Sequence, residues 1–199
     1  MVYAQDRMWR KTRSQNGRSR CQGTDPNRNW NFHWAGPGTS NDPCSENYRG
    51  RHPFSEPETL AMSNFLWRLR PRLDVYLSLH SYGQYWLTPW GFTYRVPSDY
   101  RHMLRAAQKA AATAGRNNGT VYQVGSSARL LYLASGGSDD WAKGVARAKF
   151  AYTVELGDTG KFGFLLPPRY INVTGNEMFG AIKTLLKEAR KIRLRQHVN

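Results

Sequence analysis

The sequence predicts an α/β protein, and three stretches carry that prediction. Residues 73–83, LDVYLSLHSYG, read as a strand in which Val75, Leu77 and Leu79 alternate with Tyr76 and Ser78. Both sets are apolar or small, which suits a strand covered on both faces in the middle of a sheet. Residues 149–156, KFAYTVEL, read as a second buried strand. Segments of helical period separate and follow these strands, and alternation of strand and helix is the α/β pattern.

The helices announce themselves by caps and stripes. Ser55 is expected to cap a helix with Pro57 early, Glu56 and Glu58 in the first turn, and Leu60, Phe65 and Leu66 following; Pro71 stops it. Residues 98–114 form a helix with an Ala-rich face, closed by Gly115. Ser138 reads as the cap of a further helix, with Asp139 and Asp140 favourable in its first turn. The last helix places Ile182, Leu185, Leu186, Ala189 and Ile192 on one stripe and covers its other faces with Lys and Arg. Short strands are expected at 85–90, closed by Pro89-Trp90-Gly91, and at 120–124. Turns fall at 134–138 and 157–160, while 126–133 carries no clear pattern. Residues 21–53, with turn signals at 25–27, 35–38 and 41–43, read as one long loop, and a loop of that length in a compact domain is a sign of function.

Composition bounds the protein. With 199 residues and 40% hydrophobic content, one domain with a real core is expected. No apolar run reaches membrane-spanning length. Residues 1–14 are polar and basic, unlike a signal peptide, so the chain is expected to start inside a larger unit. A net charge of +15 permits acidic partners such as heparin-like glycans, nucleic acid or anionic lipid. The cations are spread over 7–20, 68–72 and 183–195 without zinc-finger or Gly/Arg patterning, so specific nucleic-acid binding is not expected. Cys21 and Cys44 flank the long loop and read as a disulfide of an oxidising compartment, worth roughly 3 kcal/mol by loop closure; two free thiols are the other reading. Acceptor patterns for glycosylation at Asn118 and Asn172 agree with secretion.

Two strand ends carry chemistry. His80 follows the first strand, where open α/β sheets gather ligands, and can hold a metal or move a proton. A hydrogen-bonded structural histidine is the alternative. Glu155 lies near the end of the other strand, where an apolar setting makes a carboxylate costly unless it is paired or working; it is a candidate general base or half of an ion pair.

Taken with MWRKTRS at 8–14, Asn27-Arg28-Asn29-Trp30, Cys44-Ser45-Glu46, LSLHSYGQ at 77–84, YLASGGSDDW at 132–141 and VELGDTGKFGFLLP at 154–167, the sequence resembles the zinc metallocarboxypeptidases of the pancreatic A/B type. The motifs come in the family's order and cover nearly the whole chain. The resemblance implies a mixed, twisted sheet with helices on both faces. It implies that His80 is a zinc ligand, Glu155 the general base and Arg10 the stabiliser of the oxyanion. Asn27 and Arg28 would hold the substrate's terminal carboxylate, Tyr132 would close over it, and Arg7, Ser81 and Tyr82 would lie on the substrate side. Cys21 and Cys44 match the family's disulfide. Non-proline cis bonds are expected at Ser81-Tyr82, Pro89-Trp90 and Gly157-Asp158. The chemistry agrees with these roles: the guanidinium fork grips a carboxylate with two parallel bonds, and a fixed charge acts most where negative charge develops.

Asp139 matches the floor of the family's side-chain pocket, where an aspartate accompanies C-terminal Lys or Arg; capping its helix is the plainer reading. Ser127 falls near another pocket position, and Trp86 and Trp90 are expected in the cleft or core. The family's His-x-x-Glu zinc pair should precede Arg10 by several dozen residues, and no His-x-x-Glu occurs in this sequence. Residues 1–199 therefore read as the C-terminal two thirds of a catalytic domain, with one zinc ligand of three. Alone, the chain is expected to bind zinc poorly and not to hydrolyse peptides. A secreted monomer acting on peptides with free C-termini is expected. An inactive relative that binds C-terminal peptides and a basic extracellular adhesion protein are the competing readings.

Overall fold

The computed structural model describes residues 6–196, and its strands and helices fall in an α/β order. Helix α1 (Pro57–Leu69) leads into β1 (Val75–Ser81) and β2 (Tyr85–Thr88). Helix α2 (Tyr100–Asn118), strand β3 (Gln123–Ser126) and the short helices α3 (Ser127–Leu130) and α4 (Ser138–Gly144) follow. Strand β4 (Phe150–Leu156) and the long helix α5 (Ile171–Gln196) complete the order. The sheet order is β1-β4-β2-β3; β1 runs parallel to β4, β2 antiparallel to β4, and β3 parallel to β2. The sheet is mixed, as expected.

Strand alternation divides the molecule into two faces. Phe150, Tyr152 and Val154 of β4, with Val75, Leu77 and Trp86, pack under α2 and α5, where Met103, Ala107, Ala110, Met178, Ala181 and Leu185 are buried. Alanines on α2 let the two helices lie close against the sheet. The opposite face of β1 and β4 receives α4 and the loop chain: Trp30, Leu66, Trp141 and Ala146 cluster with Tyr76, and Ala142, Ala148 and Ala151 with Leu73 and Tyr76. Ser78, His80, Thr153 and Glu155 lie on that second face.

Several boundaries differ from the sequence reading. β4 and β2 are the strands that lie between neighbours, whereas β1 is an edge strand among the described residues and Leu79 is 51% exposed. Its apolar pattern therefore reports covered faces and not a central place in this sheet. The cap of α1 is Glu56, not Ser55, and its carboxylate turns inward to accept from Thr12, Ser14 and Ser55 at 2.6–2.8 Å. Helix α2 runs past Gly115 to a left-handed cap at Gly119, φ 70°, because Gly115 keeps helical geometry and is packed against the Thr120 carbonyl. Ser138 is the first residue of α4 and Gly137 its cap. The strand expected at 120–124 lies at Gln123–Ser126. On α5, Leu185, Ala189 and Ile192 are buried as the stripe requires, but Leu186 is exposed because one residue carries it about 100° round the helix.

The loop expected at 21–53 is part of a longer loop layer over residues 6–56, with one 3₁₀ turn at Pro26–Arg28 and the Cys21–Cys44 disulfide. Buried polar side chains hold this layer. Asn29 is fully buried: its amide donates to Arg49 O, His52 O and Ser55 Oγ, and its oxygen accepts from Glu56 N and Thr59 Oγ1. Nearly every buried polar group in a native protein is satisfied, and here one side chain satisfies five. The peptide bonds Ser81-Tyr82, Pro89-Trp90 and Gly157-Asp158 are all cis.

Candidate active site

β1 and β4 lie side by side with His80 paired to Glu155 and Ser78 to Thr153. Paired residues of neighbouring strands share a face, so the imidazole and the carboxyl group point into one cleft. Thr153, two residues before Glu155, joins them by the same alternation. The sequence reading passed over Thr153, although its place two positions before a candidate base is the signal that finds it.

The loop layer delivers the arginines. Asp25 sits at the start of the 3₁₀ turn, accepts from Asn27 N at 3.0 Å and pairs with Arg10, whose Nη2 and Nε approach Asp25 Oδ2 at 2.8 and 3.1 Å. Arg28 is buried and donates to the carbonyls of Asn27 and Gly38 at 2.8 and 3.1 Å. Its place depends on close backbone contact. At Gly136 (φ 72°) a Cβ would lie 2.4 Å from Arg28 O, and at Gly38 (φ 78°) it would lie 1.8 Å from Leu133 O. Only glycine fits either position. Trp30 N→Gly136 O and Ser135 N→Pro37 O bonds then lace the loop to the segment before α4. Asn27 Oδ1 accepts from Ser138 N, which ties the turn to the start of α4.

The result is a cavity of about 340 Å³. Arg10, Asn27 and Arg28 from the loop layer line it together with His80, Ser81, Tyr82, Glu155, Tyr132 and Asp139. Leu87, Gly91, Ser127, Thr153 and Phe164 complete its wall. A second cavity of about 380 Å³ adjoins it, sharing Arg10, Asn27 and His80 and reaching Glu58, Thr59, Tyr76 and Ser78. Tyr132 is exposed at the mouth. Arg7 is exposed and lines neither cavity. Trp86 is core, and Trp90 packs against Phe32 and Phe92 beside the cleft.

The electrostatics are those of a half-dry cleft. Burial pushes Glu155 up to about 7, against the pull of Arg10 and with a push from Asp139. Burial, with Arg10 and Arg28, lowers His80 and keeps the imidazole neutral, the form that ligates metals. Its Nε2 lies 2.9 Å from Ser78 Oγ. Burial raises Asp139, opposed by backbone amides, Thr153 and Arg28. Burial and Asp139 hold Asp140 well above the usual carboxylate range, although its oxygens accept from Gly91 N and Phe92 N at 2.9–3.1 Å. Asp140 thus anchors the cis-Pro89-Trp90 loop, and with it Gly91 of the cavity wall.

A family model described as zinc carboxypeptidase matches residues 1–181. The chain belongs to the zinc carboxypeptidase family. It is 47% identical over 185 residues to a carboxypeptidase B of Astacus astacus, covering 92% of this chain and 61% of that protein. It is 46% identical over 192 residues to a zinc carboxypeptidase of Simulium vittatum, covering 96% and 63%. Bovine thrombin-activatable fibrinolysis inhibitor, solved with a tick carboxypeptidase inhibitor, superposes with a TM-score of 0.89 at 40% identity, covering 96% of this chain and 64% of that one. The carboxypeptidase A of Helicoverpa armigera gives 0.87 at 33%, covering 94% and 48%. The zinc carboxypeptidase fold is therefore shared, and the chain spans less than two thirds of the length of these relatives.

Family membership implies zinc. Among the described residues no three His, Cys, Asp or Glu side chains converge as a metal site needs. His80 is the one imidazole lining the cleft, with Glu155 beside it, and the described residues do not complete a zinc centre.

Proposed function

We propose that the cleft is the substrate-binding part of a metallocarboxypeptidase that recognises a free C-terminus and selects Lys or Arg. The observation that carries the specificity is Asp139: a buried carboxyl group in the cavity wall that belongs to no ion pair among the described residues. A buried, unpaired acid is costly, and a cationic side chain entering the cavity would relieve it. A neutral side chain would leave it alone. Because polar pockets reject partners that leave them unpaired, discrimination on the order of a hundredfold follows.

The remaining roles rest on position and chemistry. Asn27 and Arg28 would take the terminal carboxylate, and Tyr132 at the mouth would close over it. Arg10, fixed by Asp25, would face the carbonyl oxygen and the charge that develops on it. Glu155, near neutrality, would hold or move a proton at the scissile bond. Ser81 and Tyr82 would line the incoming peptide, and Arg7 is retained as an outer contact. His80 would be one metal ligand; two more than residues 6–196 supply are needed for turnover. What these residues are proposed to do by themselves is bind. The Cys21–Cys44 bond supports an extracellular setting, and no helix of the described residues is long and apolar enough to cross a membrane.

Calorimetry with N-blocked peptides tests this. A peptide ending in Arg is expected to bind about a hundredfold more tightly than one ending in Phe, and its C-terminal amide to lose binding. Asp139→Asn should erase the Arg preference. Equal affinity for Arg and Phe would overturn the role of Asp139, and tight binding of the amide that of Asn27 and Arg28. Chelator-sensitive release of arginine by this chain alone would show that it turns over without further ligands.

A further inference from the structure

The charge of the protein is not spread evenly over its helices. Helix α2 carries Arg101, Arg105, Lys109 and Arg116 and no acid. Helix α5 carries six Lys and Arg between 183 and 195 and two acids, Glu177 and Glu188, both buried. The helices are antiparallel, joined by Lys109–Glu188, Thr113–Thr184 and Thr120–Glu177 contacts. Glu188 takes Lys109 and Lys191 together, at 2.6 and 2.9 Å, and so draws cations from both helices to one seam. Arg105 lies one turn before Lys109, and Arg116 two turns after it. Lys187 and Lys183 lie one and two turns before Lys191. These spacings keep each set on one stripe, since residues four apart on a helix are neighbours.

We infer that the outer seam between α2 and α5 is a binding site for a sulfated polysaccharide, with Arg105, Lys109, Arg116, Lys183, Lys187 and Lys191 as its cations. All six are exposed, and Arg105, Arg116, Lys183 and Lys187 have no carboxylate partner among the described residues. The stripe on α5 from 183 to 191 runs about 12 Å and that on α2 from 105 to 116 about 16 Å, by the helical rise. That is a track for a linear polyanion and not a socket for one ion. The disulfide places the protein where sulfated glycans occur and cytosolic nucleic acid does not. The seam offers no row of rings for stacking bases: Phe179, the one ring on α5, stands at its outer edge, with Lys183 Nζ 5.2 Å from its centre. The exposed apolar residues Phe179 and Leu186 face the outer side of α5, away from α2, and the exposed Leu194, one turn beyond Lys191, is a lone apolar side chain on the stripe, a small wedge for a bilayer.

The inference is independent of the peptide cleft. A heparin oligosaccharide is titrated into the protein at several salt concentrations, with a DNA duplex and phosphatidylserine vesicles as parallel probes. Heparin binding is expected to weaken about tenfold in Lys183→Glu/Lys187→Glu and similarly in Arg105→Gln/Arg116→Gln, with a salt slope reduced by about two in each. Arg18→Glu/Arg20→Glu, which makes on the loop layer the same charge change as the Lys183/Lys187 pair, should alter affinity less than about twofold. Equal loss in all three variants, or loss in none, would overturn the site. Duplex or vesicle binding as tight as heparin binding at the same salt would overturn its assignment to a sulfated glycan.

Discussion

The two faces of the sheet are held by different forces. Under α2 and α5, contact is apolar and almost unbroken, from Trp86 and Tyr152 to Leu185. On the other face, residues 6–56 contain no helix longer than one turn, and buried Asn29, Glu56, Asp25 and Arg28 do the fastening. The first face is an ordinary core, tolerant of volume-conserving exchange. The second adds to its apolar clusters around Trp30 and Trp141 a polar network in which each group depends on its partners, and that is the face carrying the cleft. The difference suits the site: hydrogen bonds have direction, so a layer built from them can hold an arginine or an asparagine in one orientation, which apolar packing alone does not.

Three experiments can break or sharpen this contrast. The largest effect is expected from Asn29→Ala, which takes their side-chain partner from two donors, the Glu56 N–H and the Thr59 hydroxyl, and from three acceptors; unfolding free energy should fall by about 4 kcal/mol. On the apolar face Leu185→Ala should cost about 3 kcal/mol by cavity formation, while its exposed neighbour Leu186→Ala should stay within about 0.5 kcal/mol. Urea unfolding measures all three, and an Asn29→Ala cost below 1 kcal/mol would show that the loop layer is held by something other than this network.

The third effect depends on pH. The folded state raises the pKa of Asp139, so the folded protein binds more protons than the unfolded chain above the ordinary aspartate range. Its unfavourable contribution is absent below the unfolded value and grows as pH rises toward the folded value. Asp139→Asn removes it. The variant should therefore gain thermal midpoint over the parent at pH 8 and gain little at pH 4. A gain independent of pH would mean that the charge is not the cause. If Asp139 has the role proposed for it, stability won this way should accompany the loss of the proposed preference for a C-terminal Arg, the usual exchange at a binding site.

Much of the apolar face could be read from the chain, because periodicity reports burial. The α5 stripe through Leu185, Ala189 and Ile192 and the strand around Val154 were both evident. Leu186 shows the limit: a leucine beside the stripe looks like part of it until the angle is counted. Gly115 reads as the end of α2 because glycine suits both a helix stop and a tight packing point, and only the backbone at Gly119 separates the two. On the polar face, the cleft residues were visible through family motifs, and the framework behind them was not. Nothing in the spacing of Asn29 says that it reaches Arg49, His52 and Glu56 at once. Asp25 and Asp140, which hold Arg10 and Gly91, look like common turn and helix-start residues. Such partners lie far away along the chain and close only when the loop is folded onto the sheet.

The β1–β4 ladder has a consequence for how the cleft comes into being. A shift of one residue between these strands would turn His80 out of the cleft and bring Leu79 in, since neighbours along a strand point to opposite sides. Choosing the alignment of two strands and assembling the reactive groups are therefore a single event. The same slip would take Val75 and Leu77 out of the apolar core and put Ser78 and His80 in their place, so the core that α2 and α5 cover also sets the alignment of the cleft.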